Sequence, residues 1–189
     1  MNTITTITSI SYRINKSKFI GYSIPYNEFD SHYKICKSRH PRANHFVYAI
    51  RYINKLHHVV EKQCDDGEPK GSSGKPVLAV IRGADLINTA IVIVRYFGGI
   101  RLGIGGLIRA YTHSAQRVIQ ESQVQVFRTM KKGNITISYH MLDKFKYLLK
   151  KLKGHELNIQ FHEDFVSVSF SIPEDQISKF SHFNRQEYR

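Results

Sequence analysis

Acidic side chains are scarce in this sequence, cysteines are scarcer, and no apolar run is long enough to cross a bilayer. Each shortage excludes something. Aspartate and glutamate number 15 against 28 lysines and arginines, giving a formal net charge of +13 over 189 residues. So few carboxylates raise the expectation of a polyanionic partner, because basic side chains release counterions from phosphates. A merely solubilising surface is the plainer reading. Two cysteines, Cys36 and Cys64, make no disulfide framework and suit a reducing cytoplasm. No segment approaches the roughly 20 apolar residues of a membrane-spanning helix. The opening MNTITTITSISYR has neither the basic start nor the apolar core of a secretory signal. A soluble cytoplasmic protein without membrane contact is expected.

The charge is uneven. Basic residues exceed acidic ones by ten before residue 130 and by only three after it. The hydrophobic pattern changes at the same place. Before it, ITTITSISYRI and SKFIGYSIPY alternate with period 2 and read as two strands joined at Asn15-Lys16. A helix follows, with Asn27 as its N-cap and Pro41 just past its end. ANHFVYAIRYI reads as a strand and HHVVEKQ as a further candidate. CDDGEPKGSSGKP is a loop by its Gly, Pro and Ser density. PVLAVIRGAD fits a short helix opened by Pro76. TAIVIVRYF is too β-branched for a helix and reads as a buried strand. It runs into FGGIRLGIGGLIRAY, whose helix starts near Ile104 and ends near Gln120.

After residue 130 the pattern restarts as GNITISYH, MLDKFKYLLKKLKG, HELNIQFH, FVSVSFS and PEDQISKFSHF, with the order strand, helix, strand, strand, helix. Met141, Phe145, Leu148, Leu149 and Leu152 form an apolar stripe, and lysines cover the rest of that helix as a solvated basic face. A ferredoxin-like βαββα domain is expected over 133–189, with its final strand apparently missing and Pro173 opening the last helix. The first domain is expected over 1–128, with VFRTMKKGN as the boundary.

Most catalytic templates fail on single residues. Pro69 and Pro76 stand where a phosphate-binding P-loop needs Gly and Ser or Thr. Ile108 replaces the third glycine of a dinucleotide fingerprint. Lys75 replaces the last glycine of a nucleophile elbow. HELNI lacks the second histidine of a zincin, His57-His58 reads as a polar strand end, and no metal-ligand spacing or cofactor motif appears. Asp65, Asp66 and Glu68 cluster and could hold Mg²⁺; for Asp65 and Asp66 the other reading is fixing an Asx-turn or pairing with a nearby arginine. A hydrolase or peptidase site between Cys64 and Lys75 is the alternative to a binding function, and it lacks a visible nucleophile–base set.

Five glycines, Gly98, Gly99, Gly103, Gly105 and Gly106, separate the buried strand from its helix. Glycine permits a tight turn and close approach of another backbone or a ligand. A helix start offers free N–H groups to an anion. Arg95, Arg101 and Arg109 bracket that start, and Lys70 and Lys75 lie in the acidic loop. These five are the candidate anion- or RNA-binding residues. Arg95 has a competing reading, a partner of Asp65 or Asp66 that holds the acidic loop.

DDGEPKGSSGKP followed by VRYFGGIRLGIGGLIRAY resembles the signature of the IMPACT family, in particular its bacterial YigZ branch. Asp65, Asp66, Gly67, Glu68, Pro69, Gly98, Gly99, Gly103, Gly105 and Gly106 fall on the motif, with Gly74, Pro76, Arg95, Tyr96, Arg109 and Tyr111. Ser72 and Ser73 depart from the usual Gly-Thr-Ala stretch. The resemblance implies an α+β fold. Its first domain would be similar to the second domain of a small-subunit ribosomal protein and to domain IV of elongation factor G. Its second would be ferredoxin-like. It implies a non-catalytic regulator of translation that binds RNA, the ribosome or a translation-linked protein. A pure protein-interaction module is the third reading.

Overall fold

Asn15 and Lys16 both take positive φ, 44° and 65°. Two successive left-handed residues make the type I′ turn whose twist matches paired strands. They join β2 (Thr8–Ile14) to β3 (Ser17–Pro25) as an antiparallel hairpin in the computed structural model, which describes residues 1–180. The hairpin extends into a five-stranded antiparallel sheet. Its other strands are β4 (His45–Ile53), β5 (Val59–Cys64) and β6 (Thr89–Tyr96), in the order β2-β3-β6-β4-β5.

Strand β6 is central and buried on both faces, which is why TAIVIV carries apolar residues without alternation. On one face, α1 (Phe29–Arg39) packs Phe29 and Cys36 against Ile20, Tyr22, Ile24, Val92 and Val94. On the other, α2 (Gly74–Gly83) and α3 (Gly103–Gln120) bring Val77, Ile81, Tyr111 and Val118 onto Phe19, Val47, Ile91 and Ile93.

The structure departs from the sequence pattern in several places. The first alternating run breaks in two. Strand β1 (Asn2–Ile4) leaves the main sheet and pairs with the short β7 (Val124–Val126). Alternation continues through the break, so it cannot reveal a change of partner. Asn27 is not a cap: a 3-10 turn, Tyr26–Glu28, leads into α1, which has no side-chain cap. Helix α2 begins at Gly74, so Pro76 sits inside its first turn, where a missing N–H costs nothing.

The chain divides into two compact units, Met1–Phe127 and a second beginning at Arg128. The second contains β8 (Met130–Ile137), α4 (Leu142–Lys151), β9 (His155–Phe161) and β10 (Val166–Pro173). Its sheet is antiparallel in the order β8-β10-β9, the ferredoxin-type arrangement. Phe145 and Leu149 of α4 pack on Ile135, Val168, Phe170 and Ile172. Strand β8 starts three residues before the expected 133, and Met130–Gly133 pair with Phe170–Pro173. MKKG is polar on an outer strand and gives no hydrophobic signal. Pro173 ends β10 rather than opening a helix, and a 3-10 stretch, Glu174–Phe180, follows. The end of the expected last helix and the question of a final strand lie outside the described residues.

Candidate nucleic-acid interface

The acidic loop is built around Asp65. One carboxylate oxygen accepts from Gly71 N at 2.8 Å. The other accepts from Gly74 N at 2.8 Å, Ser73 N at 3.3 Å and Ser73 Oγ at 2.7 Å. Asp65 therefore caps the start of α2 from outside the helix, satisfying N–H groups that no intrahelical carbonyl can reach. Burial pushes its pKa up, but the bonds from Gly71, Ser73 and Gly74 outweigh it and hold the carboxyl below its usual value. Asp66, at φ 44°, accepts from Phe46 N at 2.6 Å, and its carbonyl bonds His45 Nδ1 at 2.8 Å. Of the two readings for these acids, the structure shows turn-fixing. Ser73 is buried and donates its hydroxyl to the Asp65 carboxylate, which also holds three backbone N–H groups.

Glu68 and Arg95 correct the sequence reading. Arg95 is expected to bind an anion or to pair with Asp65 or Asp66, and it does neither. Only 4% of it is exposed, and its Nη1 lies 2.5 Å from Glu68 Oε1. Period 2 along β6 explains the burial: Ile91, Ile93 and Arg95 face the same core as α3. From α3, Tyr111 donates to the same Glu68 oxygen at 2.7 Å, and burial raises its pKa far above the usual phenol value. His45 Nε2 stands 3.9 Å away. Arg95 also lies over the Phe19 ring, 5.4 Å from its centroid. Neither Tyr111 nor His45 neighbours Glu68 in sequence, so no local pattern announces these contacts.

Beyond Tyr96 the chain surfaces. Arg101 and Arg109 are exposed on either side of the first turn of α3, as are Lys70 and Lys75 at the acidic loop. The Arg109 guanidinium folds back over that turn, near enough that a Cβ added at Gly105 would sit 3.6 Å from Nη1. No side chain caps the start of α3. Lys75 and Ile108 line an open groove of about 940 Å³ between α2 and α3, with Pro76, Val80, Thr112 and Ile119. Residues 86–120 contain no aspartate or glutamate. The arrangement gives exposed cations beside free backbone N–H groups, next to a loop in which Asp65 and Asp66 are half-buried and hydrogen-bonded and Glu68 is buried against Arg95.

The family assignment follows from this pairing of loop and turn. The Impact N-terminal domain matches residues 15–119, and a domain of unknown function, DUF1949, matches residues 135–183. The chain belongs to the IMPACT family. An IMPACT family member of Haemophilus influenzae is 33% identical over 173 residues, covering 89% of this chain and 82% of that protein. IMPACT family member YvyE of Bacillus subtilis is 36% identical over 132 residues, 66% of this chain and 59% of that protein. A solved structure described as a hypothetical protein superposes with a TM-score of 0.64 at 26% identity, covering 96% of this chain and 89% of that one. Among the described residues of this IMPACT protein, no helix is long and apolar enough to cross a membrane.

A second polar cluster lies on the α1 face. His40 bridges Tyr22 OH at 2.8 Å and Tyr96 OH at 2.9 Å. Burial, then Lys18 and Arg39, hold its imidazole below the usual value. Burial and Arg39 do the same to His32. Below about pH 6.5 the unfolded chain thus binds more protons than the folded one. Stability present at neutral pH is lost as pH falls from there toward the folded-state values. The melting temperature should drop between about pH 7.5 and about pH 5.5, and His40→Gln should flatten that limb.

Proposed function

We propose that this protein is a non-catalytic cytosolic regulator of translation that binds RNA, including ribosomal RNA, electrostatically through its first unit. The observation that carries the reading is the division of labour between the charges. Asp65, Asp66 and Glu68 are consumed by internal bonds, so the acidic loop is scaffold rather than chemistry. Arg101, Arg109, Lys70 and Lys75 remain in solvent within a unit that carries most of the net charge. Family membership supports a link to translation. The hydrolase alternative is disfavoured by Ser73, whose hydroxyl is committed to Asp65.

The test is an RNA titration at several salt concentrations. Each phosphate contact contributes about 0.7 to the slope of log affinity against log salt for single strands. Arg101→Ala should remove one such increment and weaken all sequences alike, because phosphate contacts position without specifying. Lys70→Ala/Lys75→Ala should remove up to about two. Unchanged slopes in both folded variants would discard this surface.

A further inference from the structure

Among the described residues of the first unit, every phenylalanine and tyrosine is buried or half-buried except Phe97, which is 44% exposed. It is not loose. Phe97 N donates to Asn44 Oδ1 at 2.8 Å, and the next residue, Gly98, donates to Ser17 Oγ at 3.1 Å. One face of the ring lies over the Arg95 guanidinium, 5.6 Å from the ring centroid. Arg95 is in turn fixed by Glu68, so the ring sits on an immobile cation. Burying a phenylalanine stabilises a fold, and this position forgoes part of that gain.

The surroundings indicate what would cover the ring. Exposed Arg101 follows four residues along, and Ile100, 45% exposed, lies between them. The whole segment is free of acids. An apolar ring that is 44% exposed, with an exposed cation four residues along, has the two elements of single-strand recognition: stacking for a base and charge for a phosphate. The guanidinium beneath draws ring electron density away from the outer face, which lessens repulsion from the π cloud of a stacked base. We propose that Phe97 is a base-stacking platform for single-stranded RNA, with Arg101 holding a neighbouring phosphate. This rests on the RNA-binding reading above and narrows it. The ligand class is unpaired RNA, purine-rich strands bind more tightly than uracil runs because their bases stack over more area, and duplexes bind worst because their bases are already stacked.

The chain has no tryptophan, so Phe97→Trp installs a single indole at the site. The experiment titrates that variant with labelled oligoadenylate, reading indole emission and RNA anisotropy together. The parent, Phe97→Ala and Phe97→Leu are titrated alongside, and duplex RNA of equal length serves as a second ligand. Indole quenching should follow the anisotropy curve. Phe97→Ala and Phe97→Leu should each lose about tenfold in affinity with the salt slope intact. The leucine variant keeps an apolar side chain, so its loss would not be a folding effect. RNA binding with an unquenched indole and undiminished affinity in both variants, or equal affinity for duplex, would overturn the stacking proposal while leaving phosphate binding in place. If the parent itself binds neither oligoadenylate nor duplex, the RNA reading falls and this one with it.

Discussion

Glu68→Ala should destabilise the first unit by about 3–5 kcal/mol, measured as a shift in the urea midpoint of unfolding. The Glu68 side chain is 3% exposed and that of Arg95 is 5%. Water screens neither. With the carboxylate gone, Arg95 keeps its charge inside a core of Phe19, Ile93 and Tyr111, and the phenol loses its acceptor. Arg95→Met should cost a similar amount for the mirror-image reason, an uncompensated buried carboxylate. The double replacement Glu68→Leu/Arg95→Met should be far milder than the sum, because the large single costs come from the stranded partner rather than from the pair's net worth. Tyr111→Phe should cost less, about 1.5–3 kcal/mol for one hydrogen bond to a charged group. Additive single effects would contradict a coupled buried network.

Gly98→Ala should be nearly as damaging, at about 3 kcal/mol or more, since it overpacks against backbone. A Cβ on Gly98 would lie 2.0 Å from the carbonyl carbon of Lys16, 2.3 Å from its oxygen and 2.4 Å from Ser17 N. Those atoms belong to the turn between β2 and β3, which two left-handed residues already hold in a single shape. They cannot retreat without breaking the hairpin. The adjacent glycine provides the contrast. Gly99 has φ +85° but nothing within 4 Å of an added Cβ, so Gly99→Ala should cost only the left-handed backbone term, about 1–2 kcal/mol. Equal melting temperatures for the two variants would contradict the close approach.

Much of this fold is legible in the sequence, because its signals are local. Asn15-Lys16 sits at a real turn between alternating runs, and TAIVIV reads as a central strand. The apolar stripe from Met141 to Leu152 packs on the second sheet. The turn-fixing role of Asp65 and Asp66 was one of two readings open from composition. What escaped depends on partners distant in sequence. The pairing of β1 with β7 spans nearly the whole first unit, and no periodicity announces it. Arginine is ordinarily exposed, but the alternation of Arg95 with Ile91 and Ile93 points it inward. Asp65 and Asp66, the partners expected for it, have carboxylates taken by backbone N–H groups, and Glu68 pairs with it instead. Phe97 lies in the stretch VRYFGG, where nothing local marks it as different from its neighbours. Its exposure is a property of the folded turn.

The salt dependence of RNA binding by the unmodified protein tests the central claim most directly. If Arg101, Lys70 and Lys75 each contact a phosphate, log affinity should fall with log salt concentration with a slope of about −2 on single-stranded RNA. Arg109 should steepen it further if it reaches a fourth. Binding that is indifferent to salt, or no binding at the lowest salt at which the protein stays folded and soluble, would contradict the account.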